Sequence, residues 1–372
     1  MSWTEARPVH GRCAGECLKR DQPVDRTARP GRLWCMRILV TGGTGYVGSH
    51  MVLALLRDGH SVRLLVRRPE QVAETFGPHG ITFAADDVVT GDVLDAASVG
   101  AALEGCDAVV HAAAIFSLDP RKAQEMLSTN AQATKVVLGA ALDRGCDPVV
   151  HISSSVALMR HGGSGPDLPL GDIDHAYSKS KVLSEEVARE LQDAGKPVVT
   201  VYPGAIYGPY DPYVGSQTER FFWVVKGRFP MWSKGGLLAT DVRDSAEVVA
   251  RVMEPGKGPR RYVVPGIHMR AKDLYSAIAK AIGRRRPYVE LPAKLGVLTA
   301  TVVETVQTRL PERFHYPADL EGAEMSLRDT RLDDGPARRD LGITPIPFEQ
   351  SIRDEIEWAV DAGHLPGKYR PR

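Results

Sequence analysis

A tyrosine and a lysine four residues apart, Tyr177 and Lys181, open a helical stretch, and three consecutive serines, Ser153, Ser154 and Ser155, close an earlier apolar run. On a helix that spacing puts both side chains on one face. Such a set suits carbonyl reduction or its reverse. Hydride added to a carbonyl carbon leaves negative charge on oxygen, which needs a proton donor within hydrogen-bond reach and a second polar partner already in place. Free tyrosine titrates near ~10, and a neighbouring ammonium favours the phenolate and lowers that value. Tyr177 is therefore expected to act as acid in reduction and base in oxidation near neutral pH. A serine at a strand end supplies the second partner, although strand alternation alone does not say which of the three points inward. A Tyr and a Lys at this spacing also occur by chance in many helices, so the weight of the pair rests on its company.

That company is a strand–helix alternation. Residues 37–41 read as a short buried strand. Val47, Met51, Val52, Leu55 and Leu56 line one face of a helix that stops at Gly59. Further strands are predicted at 61–67, 108–112, 148–153 and 197–202, with helices over 126–143 and 177–194. Alternation at this spacing requires a parallel sheet covered on both faces, with ligands at the carboxyl ends of its strands.

Thr41-Gly42-Gly43-Thr44-Gly45-Tyr46-Val47-Gly48 joins the first strand to the first helix. Gly42 permits the sharp turn, Gly45 lets the backbone approach a pyrophosphate, and Gly48 lets helix and strand pack closely. The helix N-terminus then offers open amides and a positive dipole end to the phosphates. A glycine motif alone is weak, but on a strand–turn–helix with a second strand ending about 20 residues on it is strong. That second strand runs into Arg67 and Arg68 rather than an acidic residue. Two guanidiniums would partner a ribose 2′-phosphate that a carboxylate would repel. NADP(H) is the expected cofactor, with NAD(H) the alternative if these arginines are merely exposed.

The run from Arg37 to Pro69 resembles the start of an extended short-chain dehydrogenase/reductase, within the NAD-dependent epimerase/dehydratase superfamily. It is most similar to the dihydroflavonol-reductase-like and 3β-hydroxysteroid-dehydrogenase-like branch. The resemblance continues through Gly91-Asp92-Val93, His111-Ala112-Ala113-Ala114, Asn130, Thr134, His151-Ile152-Ser153-Ser154, Tyr177-Ser178-Lys179-Ser180-Lys181 and the run Pro203 to Pro209, covering about residues 36–270. It implies a Rossmann-type α/β fold: a doubly wound parallel sheet with a smaller C-terminal α/β substrate lobe. It also implies that Ser154 is the catalytic serine beside Tyr177 and Lys181, and that Lys181 bonds the nicotinamide ribose. Thr44, Tyr46 and Val47 belong with the glycine loop in holding the cofactor. Asp92 and Val93 would contact the adenine, Ala112, Ala113 and Ala114 would pass under the nicotinamide-ribose side, and Pro203 and Ile206 would border the nicotinamide ring. Two residues depart from the pattern. His111 stands where many members carry Asn, and Tyr202 where an Arg commonly precedes the Pro. Asn130 is read as bonding local backbone.

The rest of the chain is less informative. The 372 residues carry a net charge of +1 with 25% charged residues, and no basic tract long enough for nucleic acid. Arg284, Arg285 and Arg286 read as a solvated loop. No stretch suits a membrane span; the best candidate, 291–303, is interrupted by Lys294 and reads as an amphipathic or buried helix. His10, Cys13 and Cys17 lack a fourth ligand, so no metal is expected. Cys106 and Cys146 read as small buried apolar residues. Residues 1–35 are expected to be a disordered tail or an over-long start, with Met36 a plausible true beginning and a transit peptide the alternative. Residues 36–208, with 238–265 returning, are expected to form the dinucleotide unit, and 209–237 and 266–365 the substrate lobe. Residues 155–176 read as a loop rich in Gly, Pro and Asp, of a kind that can act as a lid. Glu185 and Glu186 read as exposed or as helix contacts, and Asp244 with Glu247 as a helix start. Tyr210, Tyr213, Phe221, Phe222, Trp223, Phe229 and Trp232 crowd one segment of a chain with 6% aromatics. They would either wall a site for a flat substrate or fill the core of the lobe.

The sequence therefore predicts a cytoplasmic NADP(H)-dependent oxidoreductase, monomer or homodimer, acting on the carbonyl or secondary alcohol of a small apolar or aromatic molecule. A sugar-nucleotide epimerase or dehydratase using NAD transiently is the second reading. No clear arginine and lysine set for a nucleotide diphosphate stands out, although Arg220, Lys226, Arg228 and Arg243 could contribute to one. A non-catalytic NAD(P)-sensing protein is the third.

Overall fold

A computed structural model describes residues 35–116, 123–160, 169–307 and 320–372. The strands are β1 (Arg37–Thr41), β2 (Ser61–Val66), β3 (Val88–Thr90), β4 (Ala108–His111), β5 (Val149–Ile152), β6 (Val198–Tyr202), β7 (Ala205–Tyr207), β8 (Met231–Ser233), β9 (Gly236–Asp241), β10 (Arg260–Val263), β11 (Ile267–Arg270) and β12 (Val289–Leu291). The helices are α1 (Tyr46–Arg57), α2 (Glu70–Phe76), α3 (Ala96–Ala102), α4 (Ala123–Asp143), α5 (Ala176–Asp193), α6 (Ser216–Val225), α7 (Val242–Arg251), α8 (Ala271–Ile282), α9 (Ala293–Gln307), α10 (Leu320–Arg328), α11 (Gly335–Leu341) and α12 (Phe348–Asp361).

Seven strands form one parallel sheet in the order β10-β6-β5-β4-β1-β2-β3. The chain winds outward from β1 through β2 to β3, then returns to the other side of β1 with β4. Such a reversal opens a crevice at the carboxyl ends of β1 and β4. The strands read as continuous apolar runs because both sheet faces are covered. Ile38 and Val40 pack into one core with α1 and α7, while Leu39 and Val149 face the other with α3 and α4, as the two-residue alternation of a strand demands. The fold is thus the expected Rossmann-type α/β sheet.

A second core gathers Phe221, Phe222, Leu274, Ile278, Phe348 and Ile352 beside a small sheet ordered β11-β9-β7. Two expectations change here. Helix α7 starts at Val242, because Asp241 accepts the Arg243 amide at 2.8 Å and is the cap. Asp244 lies inside the first turn and accepts the Ile346 amide at 3.0 Å. Glu247 pairs with Arg57 and Arg251 instead of capping. The loop after Ser154 is tied down rather than free over its described part. Ser155–Leu158 forms a buried 3-10 turn, the Gly171 amide donates to the Ala157 carbonyl at 2.8 Å, and Val156, Met159 and Ile173 pack together. Residues 161–168 of that loop, His10, Cys13, Cys17 and the rest of 1–34 lie outside the described residues. Cys106 and Cys146 are buried, as expected.

Candidate active site

The glycine loop forms a cradle that leaves no room for side chains at its base. Gly42 adopts φ 71°, and a Cβ there would lie 2.6 Å from the Ala113 amide nitrogen. A Cβ at Gly48 would fall 2.1 Å from the Gly42 carbonyl oxygen. Gly43, to which sequence reasoning gave no role, is close-packed against a movable group, since its Cβ would meet the end of the Leu64 side chain at 2.7 Å. Gly45 is different: its nearest neighbour would be 3.4 Å away, and it caps α1 in extended conformation without any side-chain cap. The first turn of α1 holds no acidic residue. Its open amides and positive dipole end therefore face the crevice, which suits a dinucleotide pyrophosphate. Thr44 and Val47 are half-buried in this turn. The Tyr46 hydroxyl donates to the Gly208 carbonyl, tying the loop to the segment after β7.

The other expected cofactor residues lie along the same sheet edge. Arg67 and Arg68 follow β2, exposed, and no carboxylate among the described residues engages either guanidinium. Asp92 and Val93 follow β3 half-buried, with Asp92 Oδ1 accepting the Leu94 amide at 2.9 Å. After β4, the Ala112 amide donates to the Thr41 carbonyl at 3.1 Å and the Ala113 amide to Thr41 Oγ1 at 3.4 Å. Ala114 lies exposed beyond them. Pro203 is buried, its carbonyl accepting the Ser155 amide at 2.8 Å, and Ile206 is half-buried on β7.

The departures from the family pattern have local partners. His111 Nδ1 lies 2.8 Å from Thr41 Oγ1, and its ring stacks on that of His151 at 6.0 Å. Burial, helped by the nearby Lys181 ammonium, pushes His111 down to about 3, so it stays neutral. The Tyr202 hydroxyl donates to Glu185 Oε1 at 2.6 Å, and Arg189 donates to the same oxygen. Glu185 is therefore fully buried, whereas Glu186 is exposed. Asn130 bonds backbone, but not locally: Oδ1 accepts the amide of Ile115, 15 residues upstream, at 2.8 Å, and Nδ2 donates to the Ile115 carbonyl and to Ser180 Oγ.

Tyr177 sits in the first turn of α5 and Lys181 one turn later, 7% exposed. Ser154 follows β5, 8% exposed, and its Oγ accepts the Val156 amide at 3.3 Å. Ser154 and Ser155 border the cavity that Tyr177 enters, and Ser153 does not. The phenol's acidity departs from expectation. Burial pushes the Tyr177 hydroxyl up to about 12; the Ser154 side chain pulls it down and the Glu321 carboxylate pushes it up again. Burial likewise draws Lys181 down to about 8, against the Glu185 carboxylate. A desolvated phenolate is costly, and the Ser154 side chain offsets only part of that cost.

Glu321, from α10, was not legible in the sequence. Both the amide and the hydroxyl of Ser178 donate to its Oε1 at 2.6 Å, so this carboxylate caps α5 from 143 residues away. Glu321→Gln keeps an acceptor but removes the charge. In that variant the alkaline limb of alcohol oxidation is expected to move to lower pH, with a nearly unchanged melting temperature. Glu321→Ala loses the cap as well and is expected to cost about 1 kcal/mol of stability. pH–rate profiles and thermal melts on the two variants separate the effects.

The cavity above Tyr177 and Ser154 holds about 210 Å³ and is walled by Phe221, Phe229, Trp232, Leu237 and Met325, with Phe116 edge-on to the Tyr177 ring. The aromatic segment thus divides. Tyr210 and Tyr213 point elsewhere, against His79 and Thr75, and Phe222 packs with Trp358 and His364. Of the four basic residues considered for a nucleotide diphosphate, Arg220 borders the cavity. Lys226 and Arg228 line a separate cleft, and Arg243 is held by Asp241 and Asp354.

The model of the NAD dependent epimerase/dehydratase family matches residues 38–264. Over 336 residues the chain is 28% identical to the sterol demethylase protein B of Methylococcus capsulatus, a match covering 89% of this chain and 100% of that protein. It is 27% identical over 335 residues to a putative dihydroflavonol 4-reductase of Synechocystis, covering 88% and 95% of the two chains. The crystal structure of gox2253 superposes with a TM-score of 0.73 at 27% identity, covering 88% of this chain and 99% of that one.

Proposed function

Because the chain belongs to the NAD dependent epimerase/dehydratase family, we propose that it is an NADP(H)-dependent reductase. Membership makes it a nicotinamide-dinucleotide enzyme of the extended short-chain dehydrogenase/reductase branch. On the present reading its substrate is the carbonyl, or matching secondary alcohol, of a small apolar or aromatic molecule. The observation that carries this is an apolar, aromatic-walled cavity with the Tyr177 hydroxyl and Ser154 at its foot. The names of the two relatives, referring to a sterol and a dihydroflavonol, agree with that class. Residues 36–208 with 238–265 would form the dinucleotide unit, and 209–237 with 266–365 the substrate lobe.

The nicotinamide, when bound, supplies or accepts the hydride. The protein does the rest. Ser154 Oγ donates to the substrate oxygen and orients it, and Tyr177 Oη gives that oxygen its proton. A phenol titrating at about 12 is protonated throughout the neutral range, which favours the reductive direction. Lys181 Nζ sits one turn below, where it favours the phenolate left behind and reaches toward the ribose side of the crevice. Hydrophobic walls exclude water from the reacting oxygen.

Cofactor oxidation measured against aromatic, steroid-like and sugar-nucleotide substrates tests the reading. NADPH consumption with a flat carbonyl compound supports it. Tightly retained NAD without net redox change on a sugar nucleotide would move the chain to the epimerase reading, and binding without turnover to the sensor reading. Cofactor choice has its own test. Arg67→Asp combined with Arg68→Ala is expected to weaken NADPH relative to NADH by about ten- to a hundredfold, the worth of one charge-assisted phosphate contact. Unchanged relative affinities would remove these arginines from 2′-phosphate recognition.

A further inference from the structure

Five of the nine large apolar side chains that stand exposed among the described residues fall in one stretch: Val289 (61% exposed), Leu295, Leu298 (58%), Val302 and Val306. The last four recur at helical spacing and form one stripe along α9. The adjoining face of the same helix, with Gly296, Ala300 and Val303, borders the cavity above Tyr177. Helix α9 is therefore a wall one helix thick between the candidate active site and an outward apolar surface. Its exposed threonines suit that surface. Thr301 and Thr305 turn their hydroxyls back onto the helix, donating to the carbonyls of Val297 and Thr301 at 2.9 and 2.7 Å, as Thr299 does on the cavity side, to Leu295 at 2.7 Å. Such bonding leaves no unpaired hydroxyl donor to bury in an apolar medium.

The stripe is flanked by cations. Arg284, Arg285 and Lys294 are exposed on the segment leading into and opening α9, where Glu290 is an exposed carboxylate among them, and Lys234 is exposed beside β12, where its amide donates to the Leu291 carbonyl; cations outnumber the carboxylate four to one. An anionic surface would pair with them. No helix among the described residues is long and apolar enough to cross a membrane.

We propose that α9 is an interfacial docking helix for anionic lipid. It lies in the plane of the bilayer surface, with Leu295, Leu298, Val302 and Val306 among the upper acyl chains and the flanking Arg and Lys side chains at the headgroups. An apolar substrate would then reach the cavity from the lipid side. That last step rests on the reductase reading, whereas the docking does not.

The test is flotation of the purified full chain with unilamellar vesicles of phosphatidylcholine, with and without phosphatidylglycerol. Wild type is expected to float with the anionic vesicles and to be released by salt. Leu298→Glu combined with Val302→Glu, at two side chains that do not border the cavity, is expected to lower partitioning roughly a hundredfold. Cofactor titration and circular dichroism should show that this variant remains folded. Tyr177→Phe is expected to float like wild type, so a failed chemical assignment leaves the docking result readable. Failure of wild type to float, or equal flotation of the double-glutamate variant, overturns the proposal. So does a dimer, seen by light scattering, that the double-glutamate variant dissociates, because the face would then be a self-interface.

Discussion

Tyr177→Phe is expected to lower turnover by roughly a hundredfold or more while leaving NADP(H) binding nearly normal. The substitution removes only the hydroxyl that gives or takes the proton. The ring keeps its edge contact with Phe116, and the helix keeps its cap on Glu321. Ser154→Ala is expected to slow turnover as well, by removing one donor to the developing oxyanion. Lys181→Met should differ from both. It removes a buried amine drawn down to about 8, and with it the contact to the ribose proposed for that amine, so binding and rate should fall together. In the oxidative direction the wild-type rate should climb with pH across the alkaline range, because Tyr177 must shed a proton held up to about 12. That limb should vanish in Tyr177→Phe. Steady-state kinetics with cofactor titration on the three variants decides the matter: full turnover in Tyr177→Phe on an established substrate would sink the mechanism.

Gly48→Ala is expected to damage folding and cofactor binding together. Its new methyl would sit 2.1 Å from the Gly42 carbonyl oxygen, and Gly42 is itself held against Ala112 and Ala113. The obstruction is backbone on both sides, so α1 must lift away from β1. Overpacking of this kind costs about 3 kcal/mol or more, which for a domain of this size lowers the melting temperature by about 6–12 °C. Gly45→Ala is the contrasting case. Its methyl has space in the protein, and only a poorer helix cap, worth about 1 kcal/mol, is expected in stability. Yet that methyl projects where a pyrophosphate would approach, so dinucleotide affinity should drop. Thermal melts and cofactor titration on both variants check the contrast. Equal melting temperatures for Gly48→Ala and wild type would contradict the packing described here.

What the sequence made legible is local. The glycine turn, the apolar runs of β1, β5 and β6, and the Tyr177–Lys181 spacing each state their structure within a few residues. The order of strands and helices adds the parallel sheet. What escaped it depends on neighbours far along the chain. Glu321 carries no motif, and only folding brings it under Ser178. Glu185 and Glu186 read alike as exposed or as helix contacts, and only the distant Tyr202 sets the buried one apart. At the start of α7, two aspartates three apart competed for the cap, and the first, Asp241, holds it. Tyr177 shows the deepest gap. Its spacing from Lys181 is visible in the chain, but its acidity is governed by burial, which spacing does not encode. The aromatic run from Tyr210 to Trp232 was ambiguous for a related reason: composition cannot say which rings face a cavity and which face each other.

Helix α10 has two roles that meet in one rigid piece. Through Ala323 and Met325 it forms part of the cavity wall, and through Glu321 it holds the start of α5 and sets the field on the Tyr177 phenol. A guest molecule that pushes on this wall therefore also pulls on the acid it needs. A close-fitting guest is expected to leave the carboxylate in place, and a bulky or ill-shaped one to displace it. Discrimination between substrates should accordingly register in kcat as much as in KM, because fit is transmitted to the proton donor by a lever one helix long.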